Sequence, residues 1–479
     1  MKLNKFWIII LLFVFLTSFN ILFKNNLWFD SAYTLEYVNQ NTISSMLFNP
    51  VDVHPPLYYI VLKGWFLFGE SIIWARLLSV LFGVIFLYLV YLITDKLFND
   101  EYTSLFVTTI VAVSSTYLNI FTEIRMYSFA LMLISISFYF LLKSKEATIK
   151  DNNFFMYFLT VFLAIWTHYY VCFYILVSFI YIYFFKKNQL KNVFKTFISY
   201  GAIFYIPLMI YFLTQLSKIE GMWFKGVTFM SFFSSLNYAF FHSNTDLMSN
   251  IGNWIGYFFV IAIFFLNVYY IKKEENIELK RIAMFLIIAG TVPQLIGLII
   301  NNFYSVYHHR FFIFTLWFYV IVSIRSFVYF MNKYKIICLY ILFVLFISFN
   351  LVEYYDNSMT ELVTIGEFVN EHYCYDDILV LHESPFTSVT SQYYLRIGNC
   401  FSQPLLFSAL TDKQFGSAGG AIIYKDSVIN NTKYIEDYDK LLYYRTDGNN
   451  LLNFTEVEWN ESILLDLEGI ELVYVEKIY

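Results

Sequence analysis

The residues best suited to chemistry lie in a polar stretch, residues 24–72, between two long apolar runs. Asp30 directly follows Trp28 and Phe29, and Glu36 lies six positions further on. A carboxylate in such a hydrophobic setting is able to act as a general base, taking a proton from an attacking hydroxyl or amine. We expect Asp30 to be this base, and Glu36, near the same face of a short helix, to position an acceptor or hold a cation. Helix capping is the structural alternative for both carboxylates.

The same stretch contains the turn His54-Pro55-Pro56. Each proline removes a backbone donor, and a residue before proline is pushed toward extended geometry, so this segment cannot be ordinary helix interior. The turn therefore holds His54 at the surface of the apolar region, where its ring is able to donate a hydrogen bond to a phosphate oxygen.

Two arginines elsewhere in the chain add groups that suit a phosphate. Arg125 follows Glu123, and Arg310 follows a pair of histidines. A guanidinium carries a permanent charge and a fork of donors that matches phosphate geometry. Cations directed at a phosphate beside a carboxylate indicate attack at the carbon bonded to that phosphate. Further candidate substrate-binding residues in these segments are Glu123, Tyr127, His168, Tyr169, His308 and His309.

Composition identifies the elements that must position these side chains. The chain has 479 residues, of which 59% are hydrophobic and only 14% are charged. Soluble proteins have about a quarter charged residues. Apolar runs of about 20 residues recur, each long enough to cross a bilayer as a helix, so we predict an α-helical polytopic membrane protein in contact with membrane lipids. No basic nucleic-acid-binding surface is evident, and the four cysteines lie too far apart for a metal or redox motif.

The hydropathy pattern predicts about eleven transmembrane helices in residues 1–352. The first apolar run is kept as a span and not a signal peptide, because no small-residue cleavage site follows it. Residues 57–68 are too short to cross and indicate a helix lying in the interface. The predicted spans are 6–23, 73–97, 104–120, 127–142, 154–169, 171–185, 196–214, 254–271, 282–300, 311–329 and 336–352.

Orientation follows from the distribution of lysine and arginine. These residues collect in alternate short loops, which are cytoplasmic by the positive-inside rule. The opposite loops, which carry Asp30, His54, Arg125, His168 and Arg310, are then extracytoplasmic. A single ionisable residue at a helix end is often a solvated anchor, but several on one face indicate a shared polar site.

Residues 353–479 are more polar and contain no further span, so we predict a small extracytoplasmic α/β domain there. Residues 376–381 and 469–475 have strand patterns, and 360–372 and 387–396 have helical patterns. Features that fit an exported location are the sequons at Asn430, Asn453 and Asn460 and the cysteines Cys374 and Cys400, which are able to form a disulfide.

Several short motifs occur in a fixed order along the membrane part: Asp30 and Glu36, His54-Pro55-Pro56-Leu57-Tyr58-Tyr59, Arg76 to Gly83, Glu123-Ile124-Arg125-Met126-Tyr127-Ser128, Thr167-His168-Tyr169, and Arg310-Phe311-Phe312. This combination resembles the GT-C class of membrane glycosyltransferases, and within it the protein O-mannosyltransferase and lipid A aminoarabinose transferase group, including RgtA/B/C/D-like enzymes. The resemblance covers roughly residues 1–350, and the tail more loosely.

The resemblance implies a sugar donor carried on polyprenyl phosphate, either dolichyl or undecaprenyl, and transfer with inversion at the anomeric carbon. It implies that Asp30 is the general base, that Arg125 is the main phosphate ligand, and that His54 donates near the lipid phosphate. Many relatives have a second acidic residue where this chain has Ser31. Some have lysine at the position of His54, so the phosphate contact here depends on pH.

The resulting prediction is an inverting glycosyltransferase that uses the lipid-phosphate sugar as co-substrate, without a metal or other cofactor, and acts on a protein, glycan or lipid acceptor. A cation site formed by Asp30, Glu36 and the histidines is an alternative. A multi-pass transporter or lipid flippase is the second functional hypothesis, and a structural membrane subunit is the third. A transporter typically has ionisable residues near the midplane and a repeat between its halves. The predicted spans are largely free of such charges, and no repeat is evident.

Overall fold

The computed structural model describes residues 2–23, 27–48, 52–219, 227–240, 250–303, 307–330 and 368, together with six strands in the C-terminal part. The helices are α1 (Lys2–Phe23), α2 (Phe29–Gln40), α3 (Ile43–Phe48), α4 (Leu57–Trp65), α5 (Ile72–Phe98), α6 (Glu101–Val113), α7 (Ser115–Ile120), α8 (Tyr127–Lys143), α9 (Asn152–Ile165), α10 (Val171–Phe185), α11 (Leu190–Ser199), α12 (Ala202–Ile219), α13 (Met230–Tyr238), α14 (Asn250–Lys273), α15 (Ile277–Asn301) and α16 (Ile313–Phe330).

Long apolar helices dominate this part of the chain. Within the described residues, four helical segments are long and apolar enough to cross a membrane, and a fifth is added if the sharply bent pair Val171–Phe185 and Lys187–Ser199 is one span. The four are Ile72–Phe98, Gly256–Lys273, Ile277–Asn301 and His309–Phe330. The predicted helices at 6–23, 127–142, 154–169 and 171–185 are also present as helices, some shorter than predicted. The predicted span 336–352 lies outside the described residues.

Two predicted spans differ from the observed helices. The prediction of one helix over 104–120 was wrong, because the chain is extended at Ser114, whose hydroxyl donates to the Phe240 carbonyl at 2.8 Å. The predicted helix 196–214 is divided between α11 and α12, with Gly201 between them. A Cβ at Gly201 would clash with the Phe197 carbonyl oxygen, so only glycine fits this tight junction. Hydropathy alone does not register such local breaks.

The centre of the helical part is packed with aromatic rings. Phe138 of α8 has its ring centroid 4.9 Å from that of Phe318 and 6.0 Å from that of Trp317, both on α16, and 5.9 Å from that of Phe285 on α15. Edge-to-face and offset pairs at these separations stabilise packing beyond the area they bury. At Gly290, α15 approaches the backbone of α16 so closely that a Cβ would meet Tyr319. Small residues permit this kind of close helix contact in membranes.

The short helices α2 and α4 form the scaffold that precedes α5. Lys63 of α4 donates to the Val38 carbonyl at the end of α2, at 2.7 Å, which satisfies an acceptor that the helix leaves free. Trp65 and Trp74 stack at 4.5 Å and exchange indole-to-carbonyl hydrogen bonds, so the chain reverses tightly between α4 and α5. The helix predicted over residues 57–68 is therefore observed, as α4 and a following turn of 3₁₀-helix.

The described C-terminal strands form one mixed sheet of order β3-β2-β1-β4-β6-β5. Neighbours from β3 to β4 are parallel, whereas β6 is antiparallel to both β4 and β5. Strands β1 and β6 overlap the two predicted strands, but the predicted helices lie almost entirely outside the described residues, as do both tail cysteines and Asn430 and Asn453. The strands are β1 (Leu379–His382), β2 (Leu405–Phe407), β3 (Val428–Ile429), β4 (Lys440–Thr446), β5 (Trp459–Leu467) and β6 (Ile470–Lys477).

Candidate active site

Asp30 lies in the first turn of α2, where a negative charge interacts favourably with the helix dipole. The helix begins after Trp28, which makes no side-chain capping bond. The Asp30 carboxylate does not cap the helix either, because Asp30 is already a helical residue and its oxygens lie against two arginines. The capping alternative is thus not what the structure contains.

Two guanidinium groups from separate loops hold the Asp30 carboxylate. Arg310 Nη2 lies 2.9 Å from Oδ2, and Arg125 Nη2 lies 3.8 Å from Oδ1. Arg125 Nη1 also donates to the Thr34 hydroxyl at 3.0 Å, which fixes this arginine against α2. The predicted meeting of Asp30 with an arginine from a separate loop is observed, and a second arginine joins it.

Burial and the nearby cations have opposite effects on the pKa of Asp30. Burial raises the pKa of the carboxyl, but the charges of Arg125, Arg310 and His54 lower it by more, so its pKa lies below the ordinary value for aspartate. Asp30 is therefore ionised at neutral pH. A carboxylate in that state is able to accept a proton.

Glu123 is a second carboxyl group in the same site. Burial raises the pKa of Glu123 and the charge of Asp30 adds to this effect, beyond what Arg310 offsets. Its Oε1 accepts from Asn119 at 3.1 Å, while Oε2 accepts no hydrogen bond from any described residue. The two carboxyl groups thus differ in environment, Asp30 being the more acidic.

Ser31 explains how the loop carrying Glu123 is placed beside α2. The Ile124 backbone N–H donates to the Ser31 hydroxyl at 3.2 Å, and the Ser79 hydroxyl donates to the Glu123 carbonyl at 2.7 Å. Ser31 therefore fastens the segment that carries Glu123 to helix α2.

An aromatic row connects Arg310 to the histidines. The Arg310 guanidinium lies 5.2 Å from the centre of the Tyr127 ring, a cation–π distance. The Tyr127 ring lies 5.3 Å from that of His168, and the His168 ring lies 5.4 Å from that of His54. Burial, with the nearby charges of His54, Arg125 and Arg310, holds the pKa of His168 well below its usual range. His168 is neutral, and its Nδ1 accepts from the Tyr170 backbone.

Asp52 is a site residue that the sequence reasoning missed. It is 6% exposed, and its Oδ2 lies 3.1 Å from His54 Nδ1 and accepts a short hydrogen bond from the Tyr59 hydroxyl. Burial raises the pKa of Asp52, but the charge and hydrogen bond of His54 lower it further than that, with smaller help from Arg125 and Tyr59. The available signal was an aspartate two positions before a histidine held by prolines.

The remaining predicted residues lie around this centre in different ways. The Tyr169 hydroxyl donates to Gln215, whose amide donates to the Asp52 carbonyl at 2.6 Å. His308 accepts from the Arg310 backbone N–H through Nδ1, and the His309 ring packs on Tyr238 at 4.6 Å. Both histidines thus help to position the turn that carries Arg310.

Glu36 is buried within α2 and accepts from Gln40 at 3.1 Å. The expectation that it shares a face with Asp30 was wrong, because six helical residues correspond to a rotation of about 240°. Among the described residues, no three His, Cys, Asp or Glu side chains are grouped closely enough to hold a metal ion.

The site offers donors suited to an anion. Within the described part of the chain, the buried Nε atoms of Arg125 and Arg310 have no hydrogen-bond partner. Buried donors are normally satisfied, and an anionic group that reaches both arginines would satisfy these. An ionised carboxylate, two guanidiniums and a histidine therefore lie in one region, each at or just before the start of a helix.

No protein-family model and no curated protein sequence matches this chain. Similar solved structures exist. The apo structure of ArnT from Cupriavidus metallidurans is 10% identical, with 99% of this chain and 98% of that chain covered and a TM-score of 0.66. The same protein bound to undecaprenyl phosphate gives 10% identity, coverage of 98% and 97%, and a TM-score of 0.64.

A more distant match is the archaeal oligosaccharyltransferase AglB from Archaeoglobus fulgidus, in complex with an inhibitory peptide and a dolichol-phosphate. It is 13% identical, with 92% of this chain and 69% of that chain covered and a TM-score of 0.53. ArnT, a lipid A aminoarabinose transferase, and AglB are both GT-C glycosyltransferases. The predicted resemblance is confirmed at the level of the fold: this chain is a multi-pass membrane protein with the fold of the GT-C glycosyltransferases.

Proposed function

We propose that the protein is an inverting glycosyltransferase that moves a sugar from a polyprenyl phosphate, dolichyl or undecaprenyl, to an extracytoplasmic protein, glycan or lipid. The observation that carries the proposal is the Asp30 carboxylate held between Arg125 and Arg310, two arginines whose buried Nε atoms retain free donors. The GT-C fold supports it, since the ArnT structure that matches over nearly the whole chain is bound to undecaprenyl phosphate.

Asp30 supplies the base in this reaction. It takes a proton from the acceptor hydroxyl or amine as that group attacks the anomeric carbon. The bond between this carbon and the phosphate oxygen breaks, and the electron pair leaves with the polyprenyl phosphate. Attack from the face opposite the leaving group inverts the anomeric configuration. The depressed pKa of Asp30 keeps the base ionised before the reaction.

Arg125 and Arg310 balance the charge that moves during transfer. When Asp30 accepts the proton it loses its negative charge, and its ion pairs with the arginines weaken. At the same moment the leaving phosphate gains negative charge. The same two guanidiniums are then available to stabilise that charge in a site with little water, where such interactions are strong. Because the guanidiniums supply the positive charge, the proposed reaction involves no metal.

His54 is proposed as a further donor to the phosphate, with Tyr127 and His168 forming the wall beside it. The distribution of lysine and arginine in the loops supports an extracytoplasmic site. This location agrees with the proposed acceptors, which are components of the cell envelope.

The proposal is tested by mass spectrometry of surface glycans, proteins and lipids in cells that lack the gene. We expect one sugar residue to be missing, and its identity and attachment would name both sugar and acceptor. Wild-type protein should restore the residue, Asp30→Asn should not, and Glu70→Gln, which removes an exposed carboxylate, should restore it fully. An unchanged envelope, or full restoration by Asp30→Asn, contradicts the proposal.

A further inference from the structure

We infer that Asp52 is a positioning residue for donor binding: it fixes the His54 ring with Nδ1–H toward its own carboxylate and thereby presents Nε2–H to the donor phosphate. This inference rests on the proposed function and adds to it a residue that does not itself contact the substrate. The observation that supports the inference is the position of the buried Asp52 carboxylate, 3.1 Å from His54 Nδ1.

Asp52 is held so firmly that its orientation is defined. Oδ1 accepts from the Val53 backbone N–H at 2.8 Å, and Oδ2 accepts from the Tyr59 hydroxyl and faces His54. The Gln215 amide donates to the Asp52 carbonyl from α12. Because Val53, Tyr59 and His54 all contact the Asp52 carboxylate, its orientation is fixed. The His54 imidazole therefore has one preferred position against it.

The chemistry of this pair determines which His54 nitrogen carries hydrogen. An ionised carboxylate only accepts hydrogen bonds, so the nitrogen facing Asp52 must be protonated. A neutral His54 ring would then have a lone pair on Nε2, which would repel a phosphate oxygen. Only the imidazolium has a second N–H to offer, and its positive charge would lie next to the negative charge of Asp52.

Several charged and aromatic groups surround the His54 ring. The His54 ring packs against the ring of neutral His168. The charge of His54 lowers the pKa of Asp30 on helix α2. The charge of Arg125 acts on both neighbours of the His54 ring, Asp52 and His168. Among these groups, Asp52 is the negatively charged one that directly contacts a ring nitrogen of His54.

The first experiment examines the Asp52–His54 pair in the absence of undecaprenyl phosphate. Protein labelled with nitrogen-15 in its histidine rings is reconstituted into liposomes, and solid-state NMR identifies which ring nitrogens are protonated, with His54→Gln assigning the signals. We expect a protonated Nδ1 at His54 in the wild type and a changed His54 signal in Asp52→Asn. An unprotonated Nδ1 in the wild-type protein overturns the inference, whether or not the variant folds.

The second experiment is a double-mutant cycle with undecaprenyl phosphate as the probe. Asp52→Asn should weaken binding about tenfold, as expected for a hydrogen bond to a charged group, and Asp52→Glu should recover part of the affinity. In a His54→Gln background the same Asp52→Asn change should alter the affinity by less than about twofold. An equal loss in both backgrounds means that Asp52 acts only on the fold, which overturns the inference.

Glu70→Gln is the matched control, and thermal unfolding of each variant separates lost binding from lost structure. If the wild-type protein binds no undecaprenyl phosphate, the proposed donor is wrong, and the nitrogen-15 spectrum still decides whether Asp52 orients His54. The two failures are therefore distinguishable.

Discussion

The Arg310 guanidinium lies 2.9 Å from the Asp30 carboxylate, although the two residues come from opposite ends of the described membrane part. Asp30 is in the first turn of α2, and Arg310 is in the short turn that precedes α16. Arg125 approaches the other carboxylate oxygen from the segment before α8. Three separate segments of the chain are thus joined at one carboxylate.

Asp30→Asn should lower kcat by at least about 100-fold, because an amide cannot take the acceptor proton and general base catalysis contributes about 10²–10⁴-fold. Binding of undecaprenyl phosphate should be retained, since the arginines lose a competing partner. The measurement is kcat for sugar transfer, with calorimetric titration of the lipid phosphate. A kcat near that of the wild type would remove Asp30 from the role of base.

Arg310→Gln should move the acidic limb of the pH–activity profile to higher pH. The Asp30 pKa is held below its usual range by Arg125, Arg310 and His54 against the effect of burial. Removing one cation raises that pKa, so the base becomes protonated at a higher pH. Arg310→Lys keeps the charge and should shift the limb less.

The lowered pKa of Asp30 also affects how the stability of the fold depends on pH. Because the Asp30 pKa is lower in the folded than in the unfolded protein, the stabilisation by its ionised form is present above the unfolded pKa and is lost as pH falls through the folded one. Arg310→Gln raises the folded pKa toward the unfolded one, so this stabilisation should be smaller and its loss should be complete at a higher pH. Profiles of kcat/KM and thermal unfolding against pH provide the measurement, and identical acidic limbs in wild type and variant would contradict the assignment.

Gly290→Ala should destabilise the helical core by about 1–3 kcal/mol, the usual cost of forcing extra atoms into a packed interior. The added Cβ would lie 2.6 Å from Tyr319 Cβ and 2.8 Å from its backbone nitrogen, so α15 and α16 must separate. Gly64→Ala in α4 is the matched control, because nothing lies within 4 Å of its Cβ position. This control should be neutral or stabilising by up to about 1 kcal/mol. Thermal unfolding in nanodiscs distinguishes the two, and equal melting temperatures would argue against close packing at Gly290.

Topology reporters should locate the loops on the sides expected from their charges. A reporter fused after Phe23 or after residue 350 should be extracytoplasmic, and one fused after Phe185 should be cytoplasmic, because lysines follow that helix. Paired alkaline phosphatase and green fluorescent protein fusions measure this directly. The reverse pattern would place the Asp30 site in the cytoplasm and contradict the proposed envelope acceptor.

Some residues of the site were predictable from the sequence and others were not. Asp30 and Arg125 were identified because a carboxylate after an aromatic pair and an arginine in a short loop between apolar runs are unusual in themselves. Asp52 was missed because one aspartate in an irregular loop has no distinguishing pattern until its contacts with His54 and Tyr59 are visible. Glu36 was included for its proximity in sequence, but the turn of α2 directs it away from Asp30.

By itself, the sequence determined the class of protein, the position of most apolar helices and the polar loops between them. These are local properties, since about 20 consecutive side chains decide whether a segment is stable in hydrocarbon. Only the tertiary structure decided that Arg310 pairs with Asp30, that Ser31 holds the Glu123 loop, and that Asp52 faces His54. Such pairs depend on how separate helices pack and where each one breaks, and that packing is a cooperative property of the whole membrane part.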